Sequence, residues 1–420
     1  MSSTARAFSE ASATAWWQRA WLIIGVGLAL RLAWAALVPI APISDSVLYE
    51  GFAKSIASGR GYAYPDGGPL TAYWPVGAPA VYATLFALFG TGRGAIAIFQ
   101  ALLGAAIVGL TWRIAERHIG RRGAACAAWL VAVWPLLIEF TTIMASELLF
   151  IALLLAALDV WTSRHEPMYR RAMLWGACIA GATYIRPTAW PLLVIFPLLE
   201  FALGRRVRPL VVTLFVSTLT AALLFAPWVH RNYGLFDRFV LVAANGGTNL
   251  WMGNNPESNG GYMALPPTPD LNEAERDRHF GRVAVDFIKA DPAAYLRLSM
   301  RRAAITYDRE SIGVAWNEIG LVERIGASSL LPIKAVSSAF WWAMLLLGGA
   351  GVVRALRSGL ARLMWPLFAA LAFFAVVPIL TVAQDRYHVP IDPLLAIFAA
   401  VALTGGSRRA SEPAAAVANV

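Results

Sequence analysis

Long apolar segments recur along most of the chain and are separated by short connections rich in basic residues. A helix needs about 20 apolar residues to cross a bilayer core of about 30 Å. The pattern therefore predicts an all-α polytopic membrane protein with about ten transmembrane helices and both chain ends in the cytoplasm. The apolar segments are Ala20–Pro39, Gly77–Phe89, Gly94–Ile114, Gly123–Phe140, Glu147–Trp161, Leu174–Ile185, Thr188–Phe201, Leu210–Trp228, Ile333–Val353, Leu363–Val382 and Val389–Leu403.

The orientation depends on Gly77–Phe89, which is short for a crossing. A basic cluster follows the next segment and consists of Arg113, Arg117, His118, Arg121 and Arg122. If Gly77–Phe89 crossed fully, this cluster would share a side with the polar loop that follows the first segment. If Gly77–Phe89 is a half-depth or interfacial helix, the cluster is cytoplasmic, where Lys and Arg are in excess. We therefore expect Gly77–Phe89 not to cross.

Two longer polar stretches divide the chain. The first is a loop over residues 41–76, and the second covers residues 230–332. The second begins with a Gly- and Asn-rich run, Asn245–Pro256, which is typical of turns. It continues with two predicted helices, Asn272–Ala290 and one that Asp291 caps before Pro292. The predicted organisation is an N-terminal transmembrane module (1–229) containing the loop 41–76, an extracytoplasmic segment with interfacial helices (230–332), C-terminal transmembrane helices (333–405) and a disordered tail (406–420).

Composition supports the membrane assignment and narrows the function. Hydrophobic residues make up 58% of the 420, and charged residues 14%, whereas soluble domains contain about a quarter charged residues. The net charge of +10 sits in the short loops, so we expect no nucleic-acid binding. Cys126 and Cys178 fall within apolar runs, so we expect them to pack in the helix bundle and not to form a disulfide or a metal site. No metal-binding or nucleotide-binding motif occurs, so neither a metal nor a cofactor is predicted.

An acidic residue, Asp45, opens the first polar loop at the mouth of a membrane segment. A charge there is costly unless it faces water or a partner. Asp45, Tyr49 and Phe52 are spaced to share one helical face. We interpret Asp45 as a catalytic base presented at the membrane surface, while a simple helix-capping role stays open.

In the predicted topology Glu147, Arg186 and Arg386 with Tyr387 fall on the same outer face as Asp45. A carboxylate can take a proton from an acceptor hydroxyl or amine, and arginines can hold a phosphate leaving group. This combination suits group transfer from an anionic donor. Each residue also has a structural interpretation: Glu147 as a residue favoured at a helix start, and the arginines as interfacial side chains.

Three further residues have structural interpretations. Arg31 lies inside the first apolar segment and is expected to be structural. His388 is expected to pack or form hydrogen bonds and not to bind a metal. Asp392 is expected to pair with Arg386 or to be buried in the helix bundle.

At these residues the chain resembles the membrane-embedded GT-C glycosyltransferases of the family 39 kind, the superfamily of protein mannosyltransferases and aminoarabinose transferases. The similar stretches are Arg31-Leu32, Asp45 with Tyr49 and Ala53, Gly59-Arg60-Gly61-Tyr62, Trp74-Pro75-Val76-Gly77-Ala78-Pro79, Ser146-Glu147-Leu148-Leu149-Phe150, Tyr184-Ile185-Arg186-Pro187, Asn249-Leu250-Trp251-Met252-Gly253-Asn254-Asn255-Pro256 and Asp385-Arg386-Tyr387-His388-Val389-Pro390. The likeness covers nearly the full chain.

The resemblance implies a GT-C helix bundle and an inverting transferase that uses a polyprenyl-phosphate sugar. The family's catalytic base corresponds to Asp45, and the donor phosphate is expected at Arg186 and Arg386. The residues expected to contact substrates are Tyr49, Tyr62, Glu147, Asn249 and Tyr387. Ser46 follows Asp45 where many relatives have Asp-Glu, which argues against a paired acidic role or a metal there.

The expected setting is the outer face of the inner (plasma) membrane, with a glycolipid or cell-surface glycan as acceptor. Protein O-mannosylation is less expected, because the chain is shorter than many relatives and lacks a large C-terminal soluble domain. Two alternatives stay open. One is a transporter or flippase for lipid-linked sugars, which needs polar groups at mid-membrane depth. The other is a polymerase or ligase of the O-antigen type.

Overall fold

The computed structural model describes residues 16–163, 166–204 and 206–405. These residues form helices and no β-strand, apart from one isolated antiparallel bridge between Ala63 and Leu70. The predicted all-α class is therefore confirmed. The predicted disordered tail, residues 406–420, lies outside the described residues.

The α-helices follow one another along the whole described chain. Their bounds are Ala20–Leu37, Asp45–Ala57, Gly77–Phe89, Gly94–Ala132, Pro135–Glu139, Glu147–Thr162, Met168–Ile185, Leu192–Ala202, Val207–Phe236, Gly246–Gly253, Glu273–Ala290, Pro292–Tyr307, Ile312–Trp316, Glu318–Arg324, Leu330–Arg357, Ala361–Leu380 and Asp392–Thr404. Gly120 has φ 73° and ψ 176°, so Gly94–Ala132 consists of two helices that meet at this residue.

Five helices of the described chain are long and apolar enough to cross a membrane. They are Ala20–Leu37, the two-part Gly94–Ala132, Val207–Phe236, Leu330–Arg357 with the short turn before it, and Ala361–Leu380. The outward face of Val207–Phe236 shows why they suit lipid. Phe215, Leu219 and Leu223, spaced four residues apart, are 66%, 46% and 66% exposed. Residues at this spacing share a face, and lipid is the environment in which such an exposed apolar face is stable. The total of about ten crossings stays a prediction.

The short helix Gly77–Phe89 begins and ends at one end of the bundle. At its start, Gly77 lies so close to Tyr184 that a Cβ would stand 2.6 Å from the Tyr184 carbonyl oxygen. Just after its end, Arg93 donates to both carboxylate oxygens of Glu50 at 3.1 and 3.0 Å. Glu50 belongs to the Asp45–Ala57 helix, and Tyr184 is two residues from Arg186. The expectation that Gly77–Phe89 does not cross stays a prediction.

The basic cluster and Asp45 lie at opposite ends of the Glu147–Thr162 helix. Asp159, near the end of that helix, pairs with Arg113 at 2.9 Å and with Arg117 at 2.8 Å. A helical rise of about 1.5 Å per residue puts Asp159 about 18 Å from Glu147 along the axis. The Arg-rich connection is therefore remote from the Asp45 end of the bundle.

The two helices predicted in the 230–332 segment are confirmed. Asn272 caps Glu273–Ala290 by accepting from the Glu275 backbone N–H at 3.0 Å, in a capping box. Asp291 caps Pro292–Tyr307 by accepting from the Ala294 N–H at 2.8 Å. The N-terminal module differs slightly from its predicted bounds, because its last helix continues past residue 229 to Phe236.

The prediction of a turn-forming loop at Asn245–Pro256 was wrong over Gly246–Gly253, which is a helix. Two of its three glycines, Gly247 and Gly253, allow close packing, and none of the three has a positive φ. A Cβ on Gly247 would stand 2.0 Å from the Asp277 carbonyl oxygen, and one on Gly253 would stand 1.8 Å from that of Thr381. Gly247 and Gly253 are needed because the segments that contain Asp277 and Thr381 approach the helix backbone closely.

The last helix, Asp392–Thr404, lies at the centre of the bundle, with residues 392–401 all buried. Gly351 allows it to pack closely, since a Cβ there would stand 1.7 Å from the Phe398 carbonyl oxygen. The helix fixes the connection before it, which carries Arg386 and His388.

Candidate active site

A cavity of about 890 Å³ lies at the Asp45 end of the bundle. Its walls come from segments far apart in the sequence. They include the start of the first loop, the beginning of Glu147–Thr162, the turn after Met168–Ile185, the 245–262 region and the connection after Ala361–Leu380. Among the predicted site residues, the lining contains Asp45, Tyr49, Arg186, Asn249, Arg386 and Tyr387.

Asp45 is the first residue of the Asp45–Ala57 helix and faces the cavity. The residue before it, Ser44, has φ 51°, a conformation disfavoured for a side chain with a Cβ. Such outliers cluster at functional sites. The Asp45 carboxylate accepts a hydrogen bond from the Nη2 group of Arg386, and its side chain is 18% exposed. Asp45 is thus ionically paired and still reachable from the cavity.

Glu147 lies behind the cavity wall, with a fully buried side chain. One carboxylate oxygen, Oε1, accepts from Arg186 Nη2 at 2.5 Å and from Arg386 Nη1 at 3.4 Å. Glu147 is not among the residues that line the cavity. The expectation of direct substrate contact is therefore corrected: Glu147 holds two guanidinium groups side by side.

Arg186 ends the Met168–Ile185 helix, because Pro187 disfavours a helical conformation at the residue before it. Its Nε donates to the Ser146 hydroxyl at 3.1 Å. Its guanidinium lies 5.8 Å from the centre of the Phe150 ring. These contacts leave Arg186 on the cavity wall with a side chain 17% exposed.

Arg386 is the most constrained cation of the site. Its Nη1 and Nη2 groups contact the carboxylates of Glu147 and Asp45. Its Nε donates to Gln384 Oε1 at 2.7 Å. The guanidinium lies 4.5 Å from the Trp316 ring centre, in a cation–π contact. Burial alone would lower the pKa of Arg386, but the Glu147 and Asp45 carboxylates outweigh burial and raise it. The side chain is permanently charged and aimed at the cavity.

Of the three tyrosines predicted to contact substrates, two line the cavity and one lies behind its wall. Tyr49 lines the cavity, and burial raises its pKa to about 12, so its hydroxyl stays protonated at neutral pH. Tyr387 also lines the cavity. Tyr62 is not brought to the cavity, because its hydroxyl donates to the Trp74 carbonyl at 3.0 Å and supports the loop from behind.

The structure adds residues that the sequence did not suggest. Trp316 faces Arg386 from the Ile312–Trp316 helix, and Gln384 fixes its Nε group. A lone tryptophan in a polar segment gives no signal of this contact.

Arg31 agrees with its structural interpretation, since it donates to the carbonyls of Gly27 and Ala132 at 3.0 and 3.1 Å. Asp392 is buried in the bundle and does not pair with Arg386.

Comparison with known proteins gives two kinds of match. Residues 74–230 match the family model described as dolichyl-phosphate-mannose-protein mannosyltransferase. That range contains Glu147 and Arg186, while Asp45 and Arg386 lie outside it. No protein with curated annotation matches the sequence.

Two solved structures are similar over most of the chain. One is the Archaeoglobus fulgidus oligosaccharyltransferase AglB in complex with an inhibitory peptide and a dolichol-phosphate. It is 14% identical with a TM-score of 0.56, and the match covers 93% of this chain and 51% of AglB. The other is ArnT from Cupriavidus metallidurans bound to undecaprenyl phosphate. It is 14% identical with a TM-score of 0.55, and the match covers 94% of this chain and 61% of ArnT.

The chain thus spans about half to three-fifths of the length of these two structures. At this level of identity the likeness concerns the fold. The predicted fold is confirmed: the chain has the GT-C fold.

Proposed function

We propose that the protein is a glycosyltransferase that uses a sugar carried on a polyprenyl phosphate. The acceptor is a glycolipid or a cell-surface glycan, and transfer takes place at the outer face of the plasma membrane with inversion at the sugar carbon. Support for a lipid-linked donor comes from the fold and from the 74–230 match. AglB and ArnT were each solved with a polyprenyl-type phosphate bound.

One observation supports the proposal most strongly. Asp45, Arg186 and Arg386 come from three distant parts of the chain and meet on the wall of one cavity, with Glu147 joining the two arginines from behind. Burying four ionised groups is costly unless they are paired. A fold that assembles them beside a cavity of about 890 Å³ is well suited to bind a charged substrate.

The proposed reaction uses this pairing directly. The donor phosphate binds Arg386 and Arg186 and takes over the guanidinium contact that Asp45 makes in the free enzyme. Asp45 then accepts the proton of the acceptor hydroxyl or amine as that atom bonds to the sugar carbon. The bond between that carbon and the phosphate oxygen breaks, and the two arginines stabilise the charge that grows on the phosphate.

In the proposed reaction Glu147 holds the two guanidinium groups in position to bind the donor phosphate. Two guanidinium groups that lie side by side repel each other, and a carboxylate between them offsets this repulsion. Because Glu147 is buried behind the wall, it neutralises part of their charge without competing for the cavity. Of the two positive charges, the one that Glu147 does not balance pairs with Asp45 in the free protein and with the donor phosphate once the donor is bound.

The test is mass spectrometry of surface glycolipids and glycans from cells with and without the protein. We expect one saccharide-bearing species to lack a single sugar when the protein is absent, and to regain it when the protein is restored. An unchanged profile contradicts the proposal. A donor that accumulates on the cytoplasmic leaflet indicates a transporter, and a change in polymer length or in polymer attachment indicates a polymerase or ligase.

A further inference from the structure

Three buried side chains with metal-binding atoms meet behind the Arg386 wall of the cavity. They are Glu310, between Pro292–Tyr307 and Ile312–Trp316, His388, just before the short turn Val389–Ile391, and Asp392, the first residue of the last helix. One nitrogen or oxygen atom from each lies within 4.8 Å of the others. All three are fully buried, and none of them lines the cavity.

The hydrogen bonds of His388 leave one of its nitrogens free for a ligand. Its Nδ1 lies 2.8 Å from the Thr306 carbonyl oxygen. A carbonyl can only accept, so Nδ1 carries the hydrogen and donates. In the neutral imidazole the Nε2 lone pair then faces Glu310 Oε1 at 3.2 Å. Metal-bound histidines have this arrangement, with the second ring nitrogen donating to a carbonyl or carboxylate.

The carboxylate of Asp392 is a second indication that a ligand binds at this position. Both of its carboxylate oxygens are buried and have no hydrogen-bond partner among the described residues. Glu310 receives only the Trp134 indole N–H, at 3.1 and 3.2 Å, besides the His388 contact. No lysine or arginine in the described part of the chain lies within ion-pair distance of either carboxylate. Two buried carboxylates without a cation are unfavourable.

We propose that Glu310, His388 and Asp392 form a site for a divalent transition-metal ion, with Zn²⁺ as the ion that fits best. One imidazole nitrogen and two carboxylate oxygens are ligands that Zn²⁺ accepts. The charge of the ion balances the two carboxylates. His388 makes the hydrogen bonds that the sequence leads us to expect, and the proposal adds a ligand role for its Nε2 atom.

The ion has a positioning role, because its ligands do not reach the cavity. His388 is two residues beyond Arg386, and Glu310 is next to Arg309, which lines the cavity. A metal that joins them ties the connection carrying Arg386 to the neighbouring 309–316 segment, which also contributes residues to the cavity lining. Metal content can be measured whatever reaction the protein performs.

The test uses the full chain, purified without a polyhistidine tag, stripped with a chelator, incubated with Zn²⁺ and desalted. We expect about one Zn²⁺ per chain in the parent protein. The Asp392→Asn and His388→Ala variants should bind Zn²⁺ about 100-fold more weakly or worse. Asp159→Asn is the matched control, because Asp159 is a buried carboxylate at the far end of the bundle, and it should keep the full metal content.

A second measurement needs no variant. Chelation should lower the unfolding temperature of the parent protein, and Zn²⁺ should restore it while Mg²⁺ should not. The proposal is overturned if the parent retains no metal above background, or if Asp392→Asn retains as much as the parent. It is also overturned if Asp392→Asn raises the unfolding temperature without any change in metal content, because two carboxyl groups that share protons predict that result.

Discussion

Asp45 is the side chain on which the proposed chemistry depends most. It is the one carboxylate of the ion cluster that lines the cavity, and its partner, Arg386, is also the proposed phosphate ligand. In the proposed reaction, a base in this position is restrained until the phosphate enters. The proposal therefore couples proton transfer and donor binding through one guanidinium group.

The first prediction is that Asp45→Asn abolishes transfer while the protein still folds and inserts. Asparagine keeps the size and a hydrogen bond acceptor for Arg386 but cannot take a proton at neutral pH. Sugar transfer in cells that carry the variant should fall to the level of cells without the protein. Comparable turnover, at equal protein level and equal elution on size exclusion, would remove Asp45 from the mechanism.

The second prediction concerns Glu147. Glu147→Gln leaves Arg186 and Arg386 next to each other without the buried charge that joins them, and breaking a buried pair costs about 3–5 kcal/mol. We expect a markedly lower unfolding temperature in detergent and weaker use of the donor. Glu166→Gln is the control, because it breaks an exposed pair with Arg170 that is worth at most about 1 kcal/mol. Equal unfolding temperatures for the two variants would mean that Glu147 does not hold the arginines.

From the sequence, the residues that meet at the cavity could be identified where a charged side chain marks the end of an apolar segment, while their roles stay predictions. Asp45, Arg186 and Arg386 each do so, and the structure brings them together. It failed for Tyr62 and Glu147, since sequence position does not distinguish a residue on a cavity wall from one just behind it. Glu310 and Trp316 lie in a polar segment without periodicity, so their contacts depend on tertiary folding alone.

Among the elements, the Gly246–Gly253 helix tests whether glycine is required for close packing. Gly253 has no room for a Cβ beside Thr381, whereas Gly246 has nothing within 4 Å. The third prediction is that Gly253→Ala lowers stability by about 1–3 kcal/mol. Gly246→Ala, at an open helical position, should be neutral or stabilising by up to about 1 kcal/mol.

Unfolding temperatures of the two variants check this prediction. Equal values would mean that the helix can move away from Thr381 at no cost.

The same helix shows the limit of sequence reasoning about elements. Caps such as Asn272 and Asp291 identify helix starts, because the hydrogen bonds they make are local. A glycine-rich segment is ambiguous, because turn formation and close packing both select glycine.

At the scale of the whole molecule, the account requires the Asp45 loop and the basic connection to lie on opposite faces of the membrane. The structure puts them at opposite ends of the Glu147–Thr162 helix. The number of crossings can be predicted from the apolar pattern only approximately, since a short apolar helix such as Gly77–Phe89 has fewer residues than a full span needs.

The fourth prediction is a labelling pattern. Cysteines are introduced at the exposed positions Arg60 and Arg121 after Cys126 and Cys178 are replaced. In right-side-out membrane vesicles a membrane-impermeant maleimide should label Arg60→Cys at once. It should label Arg121→Cys only after permeabilisation. Labelling of both from one face contradicts the proposed topology.

The most direct test of the central claim is binding of undecaprenyl phosphate to the purified protein, measured by native mass spectrometry. Arg386→Ala should weaken binding about tenfold or more, because a charge-assisted hydrogen bond is lost. Asp45→Asn should bind at least as tightly as the parent, since Asp45 competes with phosphate for Arg386. Arg354→Ala should have no effect, because Arg354 lies in the last turn of Leu330–Arg357 and contacts Ala402 near the far end of the last helix. Undiminished binding by Arg386→Ala, or equal losses in Arg386→Ala and Arg354→Ala, would contradict a phosphate site in this cavity.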